Sequence, residues 1–326
     1  MRNLIKITII LIITTGVASV SLHAEEGQID ISSIPVTIDA PGSYILVKDI
    51  VSDDVDENGI TIATDNVTID LGGHTLDGSN NTNFVHGIRT GSTETRKNIT
   101  IRNGKVNNWK SAGVGLFGSE NCRVENIIAI NNGSEGIFAG LNSIVKNCTA
   151  VDNVQEGIQV DENSTVVNCI VRSSGSHGIL LREGVAMGNS CLQNGNNGIY
   201  AGSNSVIKNN ICNDNENSGI GGFSSLIKDN HCKGNKYGIN PLSQSLVVSN
   251  SCNNNIDADT NDGCGIFVEG SGTVVRHNRV TRNNYGIRCL VSDNYFAENA
   301  AFANDTDYDI AAGSDEGSGD LANVSF

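Results

Sequence analysis

The sequence predicts an all-β fold, a parallel β-helix solenoid of about eleven coils. Three observations predict it. A Gly-Ile pair recurs at Gly59, Gly87, Gly136, Gly157, Gly178, Gly198, Gly219, Gly238, Gly265 and Gly286, with Gly113-Val114 as a variant, and the spacing settles near 21 residues. Apolar pieces between the pairs are short, β-branched and bounded by Gly, Asn and Ser, which is the pattern of strands. Asn also recurs in columns: Asn126, Asn147, Asn168, Asn189, Asn210, Asn230, Asn250, Asn278 and Asn294 form one. A second polar column starts five residues on, from Asn131, Asp152 and Ser173 to Asn194, Asn215, Asn235, Asn255, Asn283 and Asn299.

A fixed period of this length marks stacked units, each unable to bury its own apolar face alone. Helical repeats are longer and need apolar positions at 3.6 spacing. Leucine-rich repeats would show Leu-x-x-Leu-x-Leu, and propeller blades need about 40 residues. Three short strands per period instead make one coil, with like side chains stacked about 4.8 Å apart. Ile fills the interior, and Asn amides bond along the stack as in cross-β ladders.

From the N-terminus, "MRNLIKITIILIITTGVASVSLHAEEGQ" begins with Arg2 and Lys6 and continues with an apolar run from Ile7 to Val20. That layout, with small Ala24 before Glu25, predicts a secretory signal over residues 1–24. The run is short for a bilayer span of about 20 residues. The mature protein is therefore expected outside the cytoplasm: secreted, periplasmic or at the cell surface. No membrane span is expected after signal cleavage. Residues 25–40 are expected to cap one end, 41–310 to form the β-helix, and the acidic tail 311–326, with Asp315, Glu316 and Asp320, to cover the other. Extra residues fall around Ser79–Asn83, Gly91–Asn98 and Asp257–Cys264 and predict loops. The last carries Asp257, Asp259 and Asp262, a Ca²⁺-like spacing without a closing Glu. It reads as a solvated acidic loop; whether a metal binds is open.

The chain has nine Cys. Cys148, Cys169, Cys191, Cys212, Cys232 and Cys252 each occupy one coil. In-register strands hold Cβ atoms about 4.8 Å apart, whereas a disulfide needs about 3.8 Å. They read as small buried core residues. Cys264 and Cys289 break the pattern and stand as free or paired thiols. The formal charge of −15 and the lack of a basic run exclude a phosphate-backbone partner. No nucleic acid, cofactor or second subunit is expected.

"NVTIDLGGHTLDG", "NITIRNGKVNNW", the Gly-Ile/Asn coils and the closing "DYDIAAG" resemble the right-handed, single-stranded parallel β-helix repeat proteins of the pectin-lyase-like superfamily. The resemblance covers about residues 35–313. It implies a right-handed solenoid and a link to polysaccharides. It does not choose an activity, since the superfamily includes pectate lyases, polygalacturonases, uronan C5-epimerases, phage tailspikes and proteins without known activity. The polygalacturonase pattern is poorly matched: Asp53-Asp54 precedes the main repeats, and no Arg-x-Lys follows "SHGI" at Ser176–Ile179.

Aligning the coils brings chemistry together. The residue before each Gly forms a column in which Glu135, Glu156 and His177 are consecutive. The residue after each Ile points outward and includes Phe138, Gln159, Leu180, Tyr200 and Phe267. Glu135, Glu156, His177 and Arg182 are the candidate catalytic residues, since paired carboxylates beside an imidazole suit acid–base chemistry. Gln159, Asp161, Glu162, Tyr200 and Tyr237 are candidate substrate contacts. His74 and Trp109 read as structural. The regular coils and the lack of a complete catalytic motif favour a protein that binds a polysaccharide, cell-surface glycan or surface partner without catalysis. The alternative is a polysaccharide lyase, glycoside hydrolase or C5-epimerase.

Overall fold

The computed structural model describes residues 27–53, 56–91, 94–317 and 323–325. The segment expected as a signal, and Asp54 and Asp320, lie outside the described residues. All strand pairings are parallel, and each coil adds one strand to a 13-stranded sheet and two to a 24-stranded sheet. The long strands Ile99–Asn107 and Arg123–Ile130 run through the corner between two faces and join them into that larger sheet. The interior stack is in register: Ile137, Ile158, Ile179 and Ile199 pair in succession, and all four are fully buried. Each buried aliphatic of this size stabilises the fold by about 1.5–3 kcal/mol.

The solenoid has thirteen turns rather than eleven. The two extra rungs lie at the ends and lack Gly-Ile. Val36–Ile38 pairs with Ile60–Ile62, and Gln28–Ile31 with Gly42–Leu46, so most of the segment expected as a cap forms rungs of its own. At the other end, Thr306–Ile310 pairs with Tyr285–Cys289. The internal Gly positions exist because the following coil comes close. A Cβ on Gly219 would stand 2.7 Å from the Gly238 carbonyl oxygen and 2.9 Å from Asn235 Nδ2. Asp307 stands over Gly286 in the last of these strands, where no further coil of that sheet presses on it. The tail covers the last rung: Tyr295 bridges Asp315, and Val324–Ser325 pairs with the strand Ala300–Phe302.

Two Asn ladders are present, but part of each is displaced by one residue from the columns read in the sequence. Asn126, Asn147 and Asn168 take positive φ, near 55°, at a corner, a conformation Asn tolerates better than most residues. The inward seat belongs to the next residue: Cys148, Cys169, then Asn189, Asn210, Asn230, Asn250, Asn278, Asn299 and Asn323. Cys169 N–H donates to Asn189 Oδ1 at 2.9 Å, and from Asn189 each Nδ2 donates to the next Oδ1 at 2.9–3.0 Å. The second ladder runs Asn132 to Asn153, then through Ser174 to Asn194, Asn215, Asn235, Asn255, Asn283 and Asn304. Asn131, Asp152 and Ser173 are its neighbouring positive-φ residues. Asn294 lies in neither ladder and accepts from Thr273 N–H, and Ser245 N–H in turn donates to Thr273 Oγ1, in a third, mainly hydroxyl column.

The thiols therefore fill two seats, not one. Cys148 and Cys169 sit in the Asn column, while Cys191, Cys212, Cys232 and Cys252 stack on one strand position. All nine Cys are buried and free. Trp109 is buried, donates its indole N–H to the Leu76 carbonyl, and takes the seat ahead of Asn132, whose Oδ1 accepts from Trp109 N–H.

Candidate functional site

The outward face of the 13-stranded sheet collects the predicted residues. Backbone bonds from Gly136 N to Glu156 O and from Gly157 N to His177 O stack Glu135, Glu156 and His177 on successive coils. Phe138, Gln159, Leu180 and Tyr200 pair in succession beside them. The two columns interlock with a one-coil step. His177 stacks on Tyr200 with centroids 5.1 Å apart and planes at 19°, and Tyr237 stacks on Phe267 at 4.8 Å and 30°. By backbone register Gln159 lies one coil beyond Glu135, and Leu180 one coil beyond Glu156.

The rings form a row along the face. His86 meets Phe117 edge-on at 5.4 Å, and Phe117 stacks on Phe138 at 4.5 Å. Tyr200 meets Phe223 edge-on at 6.4 Å, and Arg288 lies 4.5 Å over the Tyr285 ring. Phe117 and Phe223 escaped the sequence reading because each follows a register irregularity, after Leu116 and after Gly222. The Gly-rich "GLFG" and "GIGGF" runs were the available signals.

Each carboxylate of the central pair is held by a hydroxyl. Ser134 Oγ donates to Glu135 Oε2 at 2.5 Å, and Ser176 Oγ to Glu156 Oε1 at 2.8 Å. Burial lowers the His177 pKa, partly offset by the Glu156 charge, so the ring is neutral near pH 7. Its Nδ1 is buried with no hydrogen-bond partner. Burial and the nearby Arg89 charge lower His86 to about 4. Its Nδ1 accepts the Ala112 N–H at 3.2 Å.

Arg182 pairs with Asp161 at 3.0 Å, so the cation assigned to the catalytic group neutralises a predicted contact residue instead. Burial raises the Asp161 pKa against the opposing pull of Arg182. Glu162 contributes its backbone carbonyl to Asn142 N–H, and its carboxylate has no ion pair among the described residues. Tyr237 lies under Lys236, whose ammonium is 5.3 Å from the ring. The acidic loop is committed internally. Asp257 binds Lys236 at 2.9 Å and Thr260 Oγ1 at 2.5 Å, which holds its carboxyl well below the usual range. Asp262 pairs with Arg288. No group of three or more metal-type side chains occurs among the described residues.

Residues 40–187 match the family model described as the right-handed beta helix region. No curated protein matches. Among solved structures, the chain is similar to the A-module of Azotobacter vinelandii mannuronan C-5 epimerase AlgE4, with TM-score 0.62 and 15% identity over 90% of this chain and 89% of that one. The tailspike protein of E. coli bacteriophage HK620, in complex with pentasaccharide, gives TM-score 0.61 at 15% identity, over 82% of this chain and 62% of the tailspike chain. These likenesses concern the fold. With the in-register stack and the match over residues 40–187, they show that the chain has the right-handed parallel β-helix fold.

Proposed function

We propose that the protein binds a polysaccharide along the outward face of the 13-stranded sheet, without cleaving or epimerising it. The row of rings from Phe117 to Tyr285 carries this reading. Stacked and edge-on aromatics on an outward sheet face offer flat apolar area to sugar rings. The mannuronan on which the similar epimerase acts and the pentasaccharide bound to the similar tailspike support the class. The signal-like N-terminus supports a site outside the cytoplasm, to be checked by N-terminal sequencing of exported protein.

A catalytic reading draws on the Glu135, Glu156 and His177 stack. Against it, nothing hydrogen-bonds His177 Nδ1 to fix a tautomer, and Arg182 is turned to Asp161. The test is affinity electrophoresis on a panel of neutral, amino and uronic polysaccharides, with the same mixtures followed for new reducing ends and for altered uronate stereochemistry. Retardation without product, weakened about tenfold in Tyr200→Ala, is expected; a tenfold change is about 1.4 kcal/mol. Product formation that Glu156→Gln abolishes would replace binding with catalysis.

A further inference from the structure

Cations on the aromatic face are mostly neutralised already. Arg182 is paired with Asp161, Lys236 with Asp257, and Arg288 with Asp262 and Asp309. Arg89 is the one cation there without an ion pair among the described residues. Among the described residues, Glu135, Glu156 and Glu269 on the face, and Glu162 and Glu183 at its rim, have no cationic partner. A polyuronate laid on this face would meet like charge at close range, which is costly.

A second observation lies in the same place. Gln159 is 8% exposed, and its amide makes no hydrogen bond among the described residues. It sits between Phe138 and Leu180 in the outward column. Glu135 is 9% exposed. Its Oε1 and Glu156 Oε2 have no hydrogen-bond partner, since Ser134 and Ser176 use only the other oxygen of each. None of these atoms is shut off from solvent, so three acceptors and an amide N–H₂, unpartnered among the described residues, are open to a ligand from the outward face. An ammonium supplies three donors and one positive charge, and the flanking Phe138 and Tyr200 rings favour a cation over their faces.

Building on the glycan reading above, we propose that the ligand is a hexosamine chain with free amino groups, with an ammonium held by Glu135, Glu156 and Gln159, and that uronic-acid chains are rejected. The test uses the intact protein and short defined probes: a glucosamine tetramer, its fully N-acetylated counterpart, a glucan tetramer and a uronate tetramer. Binding is measured by calorimetry at low and at moderate salt. The glucosamine tetramer is expected to bind at least about tenfold tighter than the N-acetylated one, with no uronate binding. Glu156→Gln should remove that preference. Asp229→Asn, which removes the same charge at a corner between two strands of the larger sheet, should keep it, and thermal unfolding of both variants verifies the fold. Uronate binding as tight as amine binding, equal binding of amine and N-acetyl probes, or equal loss in both variants overturns the charge assignment while leaving glycan binding standing. Failure of all four probes, and of the polymers they represent, overturns the glycan reading and this inference with it.

Discussion

Asn230 and Gln159 both carry a carboxamide on a mostly buried side chain, yet their bonding differs completely. Asn230 Oδ1 accepts from Asn210 N and Nδ2, and its Nδ2 donates to the Ile207 carbonyl and to Asn250 Oδ1, all at 2.9–3.0 Å. Gln159 makes none of these bonds. The inward amide welds one coil to the next, so it has no capacity left for a ligand. The outward amide contributes nothing to the weld and keeps its full capacity. Stability and recognition are thus divided between the two sides of the same coils.

The strongest way to break this contrast is Asn230→Ala. It leaves the Asn210 donors, the Ile207 carbonyl and Asn250 Oδ1 short of partners inside the coil. Unpaired buried groups cost about 1–3 kcal/mol each, so a loss of about 3 kcal/mol or more is expected in urea unfolding. A midpoint shift below about 0.5 kcal/mol would mean that the ladder does not hold the coils.

A pH effect of intermediate size comes from His86. Its folded pKa, about 4, is depressed below the usual 6.5. The unfolded chain therefore takes up the proton first as pH falls. The stabilisation is complete above 6.5 and is lost between 6.5 and about 4. The imidazole is partly exposed, so the loss should be smaller than for Asn230→Ala. His86→Gln should flatten this part of a melting-temperature profile, and an unchanged slope would contradict the assignment.

The smallest expected effect sharpens the comparison from the other side. Gln159→Ala removes an amide with no partner, and its unfolding free energy should stay within about 0.5 kcal/mol. A loss near that of Asn230→Ala would show that the outward amide is structural after all.

Much of the coil was readable in the sequence because Gly-Ile has a double physical cause. The Ile fills the interior, and the Gly admits the next coil's backbone and Asn amide. The ladders were harder to place, because Asn suits both the positive-φ corner and the adjacent inward seat. Asn168 and Asn189 are 21 residues apart but occupy different seats; Asn189 stacks on Cys169. The terminal rungs lacked the Gly signal, hence the missed turns. The Glu135, Glu156 and His177 column was visible as spacing. The one-coil step that lays His177 on Tyr200, and the pairing of Arg182 with Asp161, depend on side-chain directions that spacing does not carry.

Among the described residues, the last Asn of the second ladder has no Asn beyond it. Asn304 Nδ2 donates instead to Asp307 Oδ1 at 2.9 Å, within its own coil. Asp307 thus fills the glycine seat and quenches the final donor with a carboxylate. An open donor there would be a template on which another chain's amide could dock. The carboxylate occupies that donor, so the second ladder closes on a side chain of its own coil.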